Sequence, residues 1–405
     1  PEPVEPADPA PAARPDDIAL DLTAEQVDSL LAVWRERQRA DAYTEFFERY
    51  VLCDSVPGDT TPDSVYVNRL RALASPIPLA YNAIVKNHLS SYTSSRSGVI
   101  SRVLGMSQYY FPLIEEELLR ADLPVELRAL PIIESALLPT ATSRAGAVGL
   151  WQFMPATGKS YGLEINSLVD ERRDPIRATQ AACRYLKDLY AIYSDWTLAI
   201  AAYNCGPGNV NKAIARAGGQ GRNFWDIYDY LPRETRGYVP AFIGATYAYT
   251  YHRQHGIEPA ESPIPLSVDT VHVDRLLHFG QIAETIDLPI ETLRLLNPQY
   301  KLDIVPATTR SYSLVLPQRK IAQYIAHEQE IFAKDSTYLK EYLDPANLEK
   351  KRQERSGTVY IVKKGDTLGA IARRYHVTTA QLMRWNNIRN AKTLRIGQRL
   401  RIEGR

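Results

Sequence analysis

The sequence predicts a mainly α-helical protein that carries small modules of two strands and two helices toward its C-terminus. Apolar residues recur at helical spacing from residue 18 onward, most densely between residues 124 and 255. Strand patterns are nearly absent from that central stretch. From about residue 265, short alternating segments appear, and the order strand–helix–helix–strand occurs twice. We therefore expect a helical body followed by two βααβ modules, of which the first is degenerate.

Local signals place individual helices of the body. Pro124 opens a predicted helix that runs to Glu134. Asp174 stands before a proline, as an N-cap stands before the first residue of a helix. Asp195 is expected to cap a shorter helix, which the Gly-Pro-Gly break at 206–208 ends.

The two modules are predicted from matching sets of four segments. The first set has strands at 270–273 and 312–316 around helices at 279–286 and 290–296. The second set has a strand at 359–362, a helix capped by Asp366, a helix at 379–385 and a strand at 399–402. The second set has the clearer pattern.

Charge is balanced over the whole chain but not along it. The 48 basic and 47 acidic residues leave a net charge of +1 over 405 residues. Between Gly357 and Arg405, however, eleven Lys and Arg residues face two acidic residues, so this tail carries +9 and the rest of the chain −8. The tail is therefore expected to bind an anionic partner. No pattern of aromatic and basic residues accompanies it, so nucleic acid is not the partner that we expect.

The N-terminus has the composition of a tether. Residues 1–17 contain six prolines, which favour a disordered or polyproline-like segment. The chain opens with Pro1, and no apolar run approaches the roughly 18 residues of a membrane span. We therefore expect a mature or trimmed form, and a segment before Pro1 that this sequence does not include is the candidate for membrane anchoring.

The three cysteines predict neither a disulfide scaffold nor a metal site. Cys53, Cys183 and Cys205 lack metal-ligand spacing. Buried free thiols are the favoured interpretation, and one disulfide with one free thiol is the alternative. No metal or other cofactor is expected.

Glu134 is the candidate catalytic residue. It directly follows the apolar run at 130–133, so burial is expected to disfavour its ionised form and raise its pKa. A carboxyl group that holds a proton near neutrality can first donate that proton and later take one back. The pattern alone is weak, because a glutamate that ends a helix is more often solvated.

Two further segments suit a sugar site. Residues 143–155 form a loop rich in Gly and Ala, in which Gln152 offers both a donor and an acceptor. Tyr203 and Asn204 stand at a helix end, where an aromatic ring beside an amide suits a sugar ring and an N-acetyl group. A turn with a packed tyrosine would explain any one segment, but not all three in this order.

These motifs resemble the soluble lytic transglycosylase family, whose fold is goose-type lysozyme-like. The matching pattern is Glu-Ser, then Ser-x-x-Gly-Ala-x-Gly-Leu-x-Gln-x-Met-Pro-x-Thr, then Ala-Tyr-Asn-x-Gly. Residues 231–240, Leu-Pro-Arg-Glu-Thr-Arg-Gly-Tyr-Val-Pro, resemble the membrane-bound transglycosylase D subfamily in particular. The sequence departs from the common pattern at Trp151 and Cys205.

The resemblance implies roles for named residues. Glu134 would be the sole catalytic acid and base. The residues implied to line the sugar cleft are Ser135, Ser143, Gln152, Met154, Tyr203, Asn204, Glu234 and Tyr238. A packed aromatic is the alternative role for Tyr238. Asp170, Glu171 and Asp174 are nearby carboxylates, but their setting is more typical of a capped helix start with arginine partners.

The implied reaction cleaves the β-1,4 bond between N-acetylmuramic acid and N-acetylglucosamine in peptidoglycan and leaves a 1,6-anhydro end. Most glycosidases use two carboxylates, whereas this family uses one. Two alternatives remain: a muramidase-type hydrolase of the same fold, and a peptidoglycan-binding scaffold without catalytic activity.

The second module, Val359 to Ile402, resembles LysM. The matching residues are Tyr360-Ile361-Val362, Gly365-Asp366-Thr367-Leu368, Ile371-Ala372, Trp385-Asn386 and Leu394-Arg395-Ile396-Gly397-Gln398. In LysM modules, N-acetylglucosamine-containing chains bind a groove between the first strand–helix loop and the second helix–strand loop. The residues in those loops here are Gly365, Asp366, Thr367, Leu368, Asn387, Ile388, Arg389 and Asn390. The first module has Arg275-Leu276-Leu277 where the Gly-Asp-Thr turn would be, so it resembles a degenerate LysM that has kept its packing and lost binding.

The expected organisation has six segments. They are a Pro-rich tether (1–17), a helical N-terminal region (18–120), the lysozyme-like domain (121–258), the degenerate LysM-like module (265–320), a charged linker (333–357) and the LysM module (358–403). The expected partner is the glycan strand of peptidoglycan. The expected location is the bacterial cell envelope, in the periplasm or on the periplasmic face of the outer membrane, and a monomer is expected.

Overall fold

The computed structural model describes residues 60–308, 310–334, 338, 358–362, 366–374, 378–386, 388, 394 and 398–402. The described residues fall into two compact units, one ending at Phe332 and the other beginning at Ala333. The predicted tether at 1–17, the start of the N-terminal region, Cys53 and nearly all of the charged linker lie outside these residues. Among the helices described, none is both long enough and apolar enough to cross a membrane.

The first unit begins as a bundle of α-helices. In chain order they are α1 (Asp63–Ala72), α2 (Ala83–Thr93), α3 (Ser97–Arg120), α4 (Leu130–Ser135), α5 (Pro155–Ser160), α6 (Pro175–Tyr193), α7 (Trp196–Cys205), α8 (Pro207–Arg216), α9 (Phe224–Ile227) and α10 (Arg233–Thr250). The caps predicted at Asp174 and Asp195 are confirmed. Asp174 accepts hydrogen bonds from the backbone N–H groups of the first turn of α6, and Asp195 does the same for α7.

The helix predicted from Pro124 to Glu134 is instead two elements. Residues Val125–Ala129 form a 3-10 helix, and α4 follows directly. Pro131 has no backbone N–H, so a continuous α-helix would lose the hydrogen bond from that position to Leu127. Glu134 therefore lies in a separate α-helix of six residues.

Helix α10 lies in the middle of the bundle and packs against α2, α7 and α4. Most of its residues from Thr235 to Ala248 are buried. Gly244 allows the closest approach: a Cβ there would lie 2.9 Å from Cδ2 of Tyr92 and 3.1 Å from Cβ of His88 on α2. The consequence for the site is that side chains on α10 reach α4 and α7 from a buried, fixed helix.

The LysM-like module follows in the same unit. Its elements are β1 (Val268–Val273), β2 (Leu277–His278), α11 (Phe279–Ile286), α12 (Ile290–Leu296), β3 (Ile304–Val305), β4 (Tyr312–Pro317), α13 (Gln318–Ala326) and α14 (Glu328–Ala333). Strands β1 and β4 pair antiparallel, with Val268 opposite Pro317 and Val273 opposite Tyr312. The predicted order of strand, two helices and strand is confirmed, and α14 adds to its core through buried Ile331 and Phe332.

The second unit has the same order in its described part. It contains β5 (Thr358–Ile361), α15 (Leu368–Arg374), α16 (Thr379–Trp385) and β6 (Arg399–Ile402). Strands β5 and β6 pair antiparallel from Thr358 opposite Ile402 to Ile361 opposite Arg399. Tyr360, Leu368, Ile371, Leu382 and Leu400 form its core. The mainly α-helical architecture with βααβ modules is therefore confirmed.

Two of the three cysteines lie in the described residues, and both are free thiols. Cys183 is buried and Cys205 is half-buried. The favoured interpretation of free thiols is confirmed for these two positions. Burial raises the pKa of the Cys183 thiol to about 12, so it stays protonated as a packing residue.

Candidate active site

Glu134 lies at the end of α4 and is 6% exposed. The chain turns sharply after it, because Ala136 and Leu137 adopt positive φ values of 49° and 60°. Ser135 is fully buried, and its hydroxyl donates to the carbonyl oxygens of Pro131 and Leu150, each at 3.0 Å. The hydrogen bonds of Ser135 thereby fix the backbone next to Glu134.

Tyr238 on α10 contacts the acid directly. Its hydroxyl donates a hydrogen bond to Oε1 of Glu134, and its side chain is 1% exposed. Burial raises the pKa of Glu134 to about 7, while the hydrogen bond from Tyr238 acts in the opposite direction. Near neutrality, the carboxyl group is therefore populated in both protonation states, as one group that must both donate and accept a proton requires.

Tyr203 on α7 lies beside the acid. Its hydroxyl donates to the carbonyl oxygen of Trp151 at 2.8 Å, and its ring centroid lies 5.2 Å from that of Tyr185. Burial, together with the nearby charge of Glu134, raises the pKa of Tyr203 well above its ordinary value. The hydroxyl is thus neutral and acts as a fixed donor rather than as a titrating group.

Residues 141–153, the glycine-rich loop, contact two neighbours of the acid. The carbonyl oxygens of Leu150 and Trp151 accept hydrogen bonds from the hydroxyls of Ser135 and Tyr203, respectively. Gly149 has φ +91°, and a Cβ there would lie 1.7 Å from the carbonyl oxygen of Arg172, so only glycine fits. Gln152 has φ +47°, which is uncommon outside glycine. Its amide Nε2 donates to the carbonyl oxygens of Ala141 at 3.2 Å and Gly149 at 2.9 Å. The loop is therefore closed by its own side chain.

Asn204 is oriented by a residue that the sequence did not single out. Its Oδ1 accepts a hydrogen bond of 2.8 Å from the hydroxyl of Thr235 on α10. Thr235 is 1% exposed and stands next to Glu234 in the motif at 231–240, in which only Glu234 and Tyr238 were predicted as cleft residues. With Oδ1 engaged in this way, the Asn204 amide nitrogen is the end of the side chain directed away from Thr235.

The other predicted cleft residues differ in their exposure to solvent and in their hydrogen-bond partners. Met154 is 42% exposed, and Glu234 is exposed in the first turn of α10. Ser143 caps its own loop by accepting a hydrogen bond of 3.0 Å from the backbone N–H of Ala147. Ser135, expected to line the cleft, is instead fully buried with its hydroxyl engaged by the backbone, so it positions the acid rather than offering a sugar contact.

The three nearby carboxylates have structural partners. Asp170 accepts two hydrogen bonds from the Arg172 guanidinium, at 2.8 and 2.7 Å, and Asp174 caps α6. Glu171 accepts from the backbone N–H of Glu164 at 2.7 Å. The predicted role as a capped helix start with arginine partners is confirmed. Across the residues that the structure describes, no group of three His, Cys, Asp or Glu side chains is arranged to hold a metal ion.

The predicted glycan-binding residues of the second unit are partly described. Oδ2 of Asp366 accepts a hydrogen bond of 2.6 Å from the Tyr360 hydroxyl, and exposed Thr367 accepts one of 3.2 Å from the backbone N–H of Ala370. Leu368 is 1% exposed in the module core, and Ile388 packs against that core. The side chains of Leu368 and Ile388 therefore stabilise the module rather than face a ligand. Gly365, Asn387, Arg389 and Asn390 lie outside the described residues.

Comparisons with known proteins identify the family. The family description "Transglycosylase SLT domain" matches residues 112–225. "Lytic transglycosylase MltD, LysM-like domain" matches residues 267–333, and "LysM domain" matches residues 360–403. The membrane-bound lytic murein transglycosylase D of Escherichia coli (strain K12) is 32% identical over 332 residues, which are 79% of this chain and 69% of that protein.

The chain belongs to the membrane-bound lytic murein transglycosylase D family. The resemblance drawn from the motifs is thereby confirmed, as is the fold class of a lysozyme-like helical domain followed by LysM-type modules. The match at 267–333 extends the module predicted at 265–320, because α13 and α14 belong to it.

More distant relatives match parts of the chain. A peptidoglycan transglycosylase of Escherichia phage T7 is 31% identical over 132 residues, which are 30% of this chain and 10% of that protein. Among solved structures, the 70 kDa soluble lytic transglycosylase from Escherichia coli is 18% identical, with a TM-score of 0.32. That match covers 57% of this chain and 46% of the solved one, so this chain spans about half of its length.

Proposed function

We propose that Glu134 acts alone, first as general acid and then as general base, on the β-1,4 bond between N-acetylmuramic acid and N-acetylglucosamine. As a member of its family, the chain is an enzyme, a lytic transglycosylase of peptidoglycan. The observation that carries the assignment of the residue is the burial of Glu134 against the Tyr238 hydroxyl, which leaves its pKa at about 7.

In the first step, the protonated carboxyl group of Glu134 donates its proton to the glycosidic oxygen. The bond between that oxygen and the anomeric carbon of the muramic acid breaks, and the N-acetylglucosamine leaves with a free hydroxyl group. Positive charge develops at the anomeric carbon, where the N-acetyl carbonyl oxygen of the same sugar can stabilise it. The buried setting favours the neutral acid before this step, because it disfavours the charged form.

In the second step, the Glu134 carboxylate takes the proton of the C6 hydroxyl of the muramic acid. The C6 oxygen bonds to the anomeric carbon and closes a 1,6-anhydro ring, so no water is consumed and the acid regains its proton. Between the two steps the carboxylate is charged in a dry environment, and the hydrogen bond donated by Tyr238 stabilises it. Tyr238 thus stabilises the charged form of Glu134, which burial destabilises.

Several cleft residues are proposed to hold the sugars. Tyr203 presents a ring held among aromatic neighbours, and Asn204 carries an amide suited to an N-acetyl group. Gln152 lies in the glycine-rich loop, and exposed Met154 directly follows that loop. Ser143 and Glu234 remain predictions as sugar contacts.

The same geometry favours transglycosylation over hydrolysis. A hydrolase of this fold would use a second carboxylate to activate water or to act as nucleophile. The three candidates for that role are engaged by an arginine, a backbone amide and a helix N-terminus. This supports a mechanism in which the substrate's own hydroxyl is the nucleophile.

The mass of the products tests the proposal. Purified sacculi are digested, and the released muropeptides are weighed: anhydro products are lighter by one water than hydrolase products, and a scaffold releases none. Glu134→Gln is expected to bind sacculi and release nothing, with Glu258→Gln as the matched control at an exposed glutamate outside the proposed cleft. Hydrated reducing ends from the wild type, or normal release by Glu134→Gln, would contradict the mechanism.

The chain binds peptidoglycan through its transglycosylase and LysM domains, and a place in the cell envelope follows from its family. The finer location is part of the proposal: the periplasm or the periplasmic face of the outer membrane, with a membrane anchor. The description of the relative as membrane-bound supports it. Fractionation of cells expressing the full-length protein, with release by detergent but not by salt, tests the anchor. Sedimentation of the purified chain tests the expected monomer.

A further inference from the structure

A loop of the catalytic domain, residues 164–173, pairs with the LysM-like module. Val169 forms a β-bridge with Tyr300. The backbone N–H of Asp170 donates to the carbonyl oxygen of Gln299 at 2.9 Å, and that of Lys301 donates to the carbonyl oxygen of Leu168 at 2.7 Å. We call residues 164–173 the docking loop. Its backbone forms hydrogen bonds with the backbone of the module, as two antiparallel strands of a sheet do.

Side chains extend this contact at its rim. Glu164 forms an ion pair with Arg310 and accepts a hydrogen bond of 3.1 Å from the Tyr312 hydroxyl. Lys301 Nζ donates to the carbonyl oxygen of Asn166 at 2.5 Å. The Glu164 side chain is 13% exposed, so its charge is largely removed from solvent by residues of the module. The docking loop and the module are therefore matched by an ion pair as well as by their backbone hydrogen bonds.

The segment of the module that makes this contact is unusual for its fold. Residues 297–303 connect α12 to β3, which is the second helix–strand connection of the module. In a LysM module, that connection borders the glycan groove. Here Asn297, Gln299, Tyr300, Lys301, Leu302 and Asp303 are all buried. In this module, residues 297–303 therefore contact the docking loop at the position where a LysM module would contact glycan.

The docking loop leads on to the glycine-rich loop. Arg172, which is paired with Asp170, donates from Nη1 to the carbonyl oxygens of Gly146 at 3.0 Å and Phe153 at 3.1 Å. Its own carbonyl oxygen fills the space where a side chain at Gly149 would lie. One buried guanidinium therefore ties the loop that carries Gln152 to the docking loop at two points, Gly146 and Phe153.

We infer that the LysM-like module is a fixed support of the active site, which positions Arg172 and, through it, the glycine-rich loop over Glu134. The module holds the docking loop, the docking loop fixes Asp170, and Asp170 orients the guanidinium. Arg172 is a positioning residue in this arrangement, since it acts through the loop. The inference rests on the proposed function only in taking the glycine-rich loop as part of the catalytic cleft.

Charge exchange across the rim tests the support in the full-length protein. Glu164→Arg places two arginines together, and Arg310→Glu places a third carboxylate beside Glu164 and Glu171, so each single variant is expected to open the contact. The double variant exchanges the two charges and restores an ion pair. Lys320→Ala is the matched control, because Lys320 Nζ bonds the carbonyl oxygen of Ile286 inside the module.

Amide hydrogen exchange and kinetics on soluble glycan strands are the two measurements. Each single variant is expected to speed exchange of the amides at 143–153 by at least about threefold and to lower kcat by a similar factor, with KM changed less. The double exchange should restore both, and Lys320→Ala should alter neither. Unchanged exchange at 143–153 in the single variants, or no recovery in the double exchange, overturns the inference. Because exchange does not depend on activity, a wrong assignment of Glu134 would leave that part of the result intact.

Discussion

The hydroxyl of Tyr238 donates a hydrogen bond to the Glu134 carboxyl group from a helix 104 residues further along the chain. The two side chains are 1% and 6% exposed. Burial favours the neutral acid, and this donor favours the carboxylate. The balance between the two effects is what sets the pKa of Glu134 near neutrality, and several measurable properties follow from it.

Removing the donor should shift the pH dependence of catalysis. In Tyr238→Phe, the carboxylate loses its hydrogen bond, so the pKa of Glu134 rises above about 7 and the alkaline limb of kcat moves to higher pH. A hydrogen bond to a charged group contributes about 1.5–3 kcal/mol, so kcat at neutral pH should fall by about tenfold or more. Tyr249→Phe, on the same helix, is the control. An alkaline limb that stays in place would show that Tyr238 does not contact the charged form.

The buried acid should also make stability depend on pH. The pKa of Glu134 is raised from 4.5 to about 7 on folding, so its ionisation opposes folding increasingly as the pH rises from 4.5 through 7. Glu134→Gln removes this cost, and its free energy of unfolding should exceed that of the wild type by up to about 3 kcal/mol at pH 8. The two proteins should converge near pH 4. Thermal unfolding across this range measures the difference, and a lower Tm of the variant at pH 8 would contradict it.

Two glycines with similar backbone conformations should differ in their tolerance of alanine. A Cβ at Gly149 would lie 1.7 Å from a backbone oxygen, whereas nothing lies within 4 Å of one at Gly162. Gly162→Ala should lower the free energy of unfolding by only about 1–2 kcal/mol, the cost of a positive φ, and keep activity. Gly149→Ala should cost more than about 3 kcal/mol or prevent folding. Denaturant unfolding compares them, and equal losses would mean that the loop relaxes around the new methyl group.

The contact between Thr235 and Asn204 should govern sugar binding rather than stability. Thr235→Val keeps the shape of the side chain and removes the donor to Asn204 Oδ1. The amide is then free to turn, so KM for soluble glycan strands should rise by about fivefold, in keeping with a net hydrogen-bond contribution of about 1 kcal/mol. Thr250→Val removes a hydroxyl that bonds the backbone of the same helix at 2.9 Å, and should leave KM unchanged. A KM in Thr235→Val equal to that of the control would remove Asn204 from the proposed sugar site.

Features encoded in neighbouring residues were predictable from the sequence. Asp174 and Asp195 act as caps because a cap needs only the first turn of its own helix. Helices α11 and α12 have the predicted bounds, since their apolar stripes are complete within each segment. The burial of Glu134 followed from the apolar run before it.

Features that depend on distant contacts were not predictable in the same way. Ser135 was expected to face sugar, and only the packing of Leu150 over α4 shows why its hydroxyl is engaged by the backbone. The pairing of Glu164 with Arg310 joins residues 146 positions apart, and neither residue stands in a motif. Leu368 follows the turn of the LysM motif, yet its side chain belongs to the module core.

Glu134 and the Tyr238 hydroxyl, which lowers its pKa, lie far apart in the sequence, and this separation links catalysis to folding. In an unfolded chain the carboxyl group would have its ordinary pKa of 4.5, would be ionised at neutral pH and would have no proton to donate. The acid acquires its chemistry only when α4 and α10 close upon each other. A chain in which these two helices have not yet packed together therefore lacks its general acid at neutral pH.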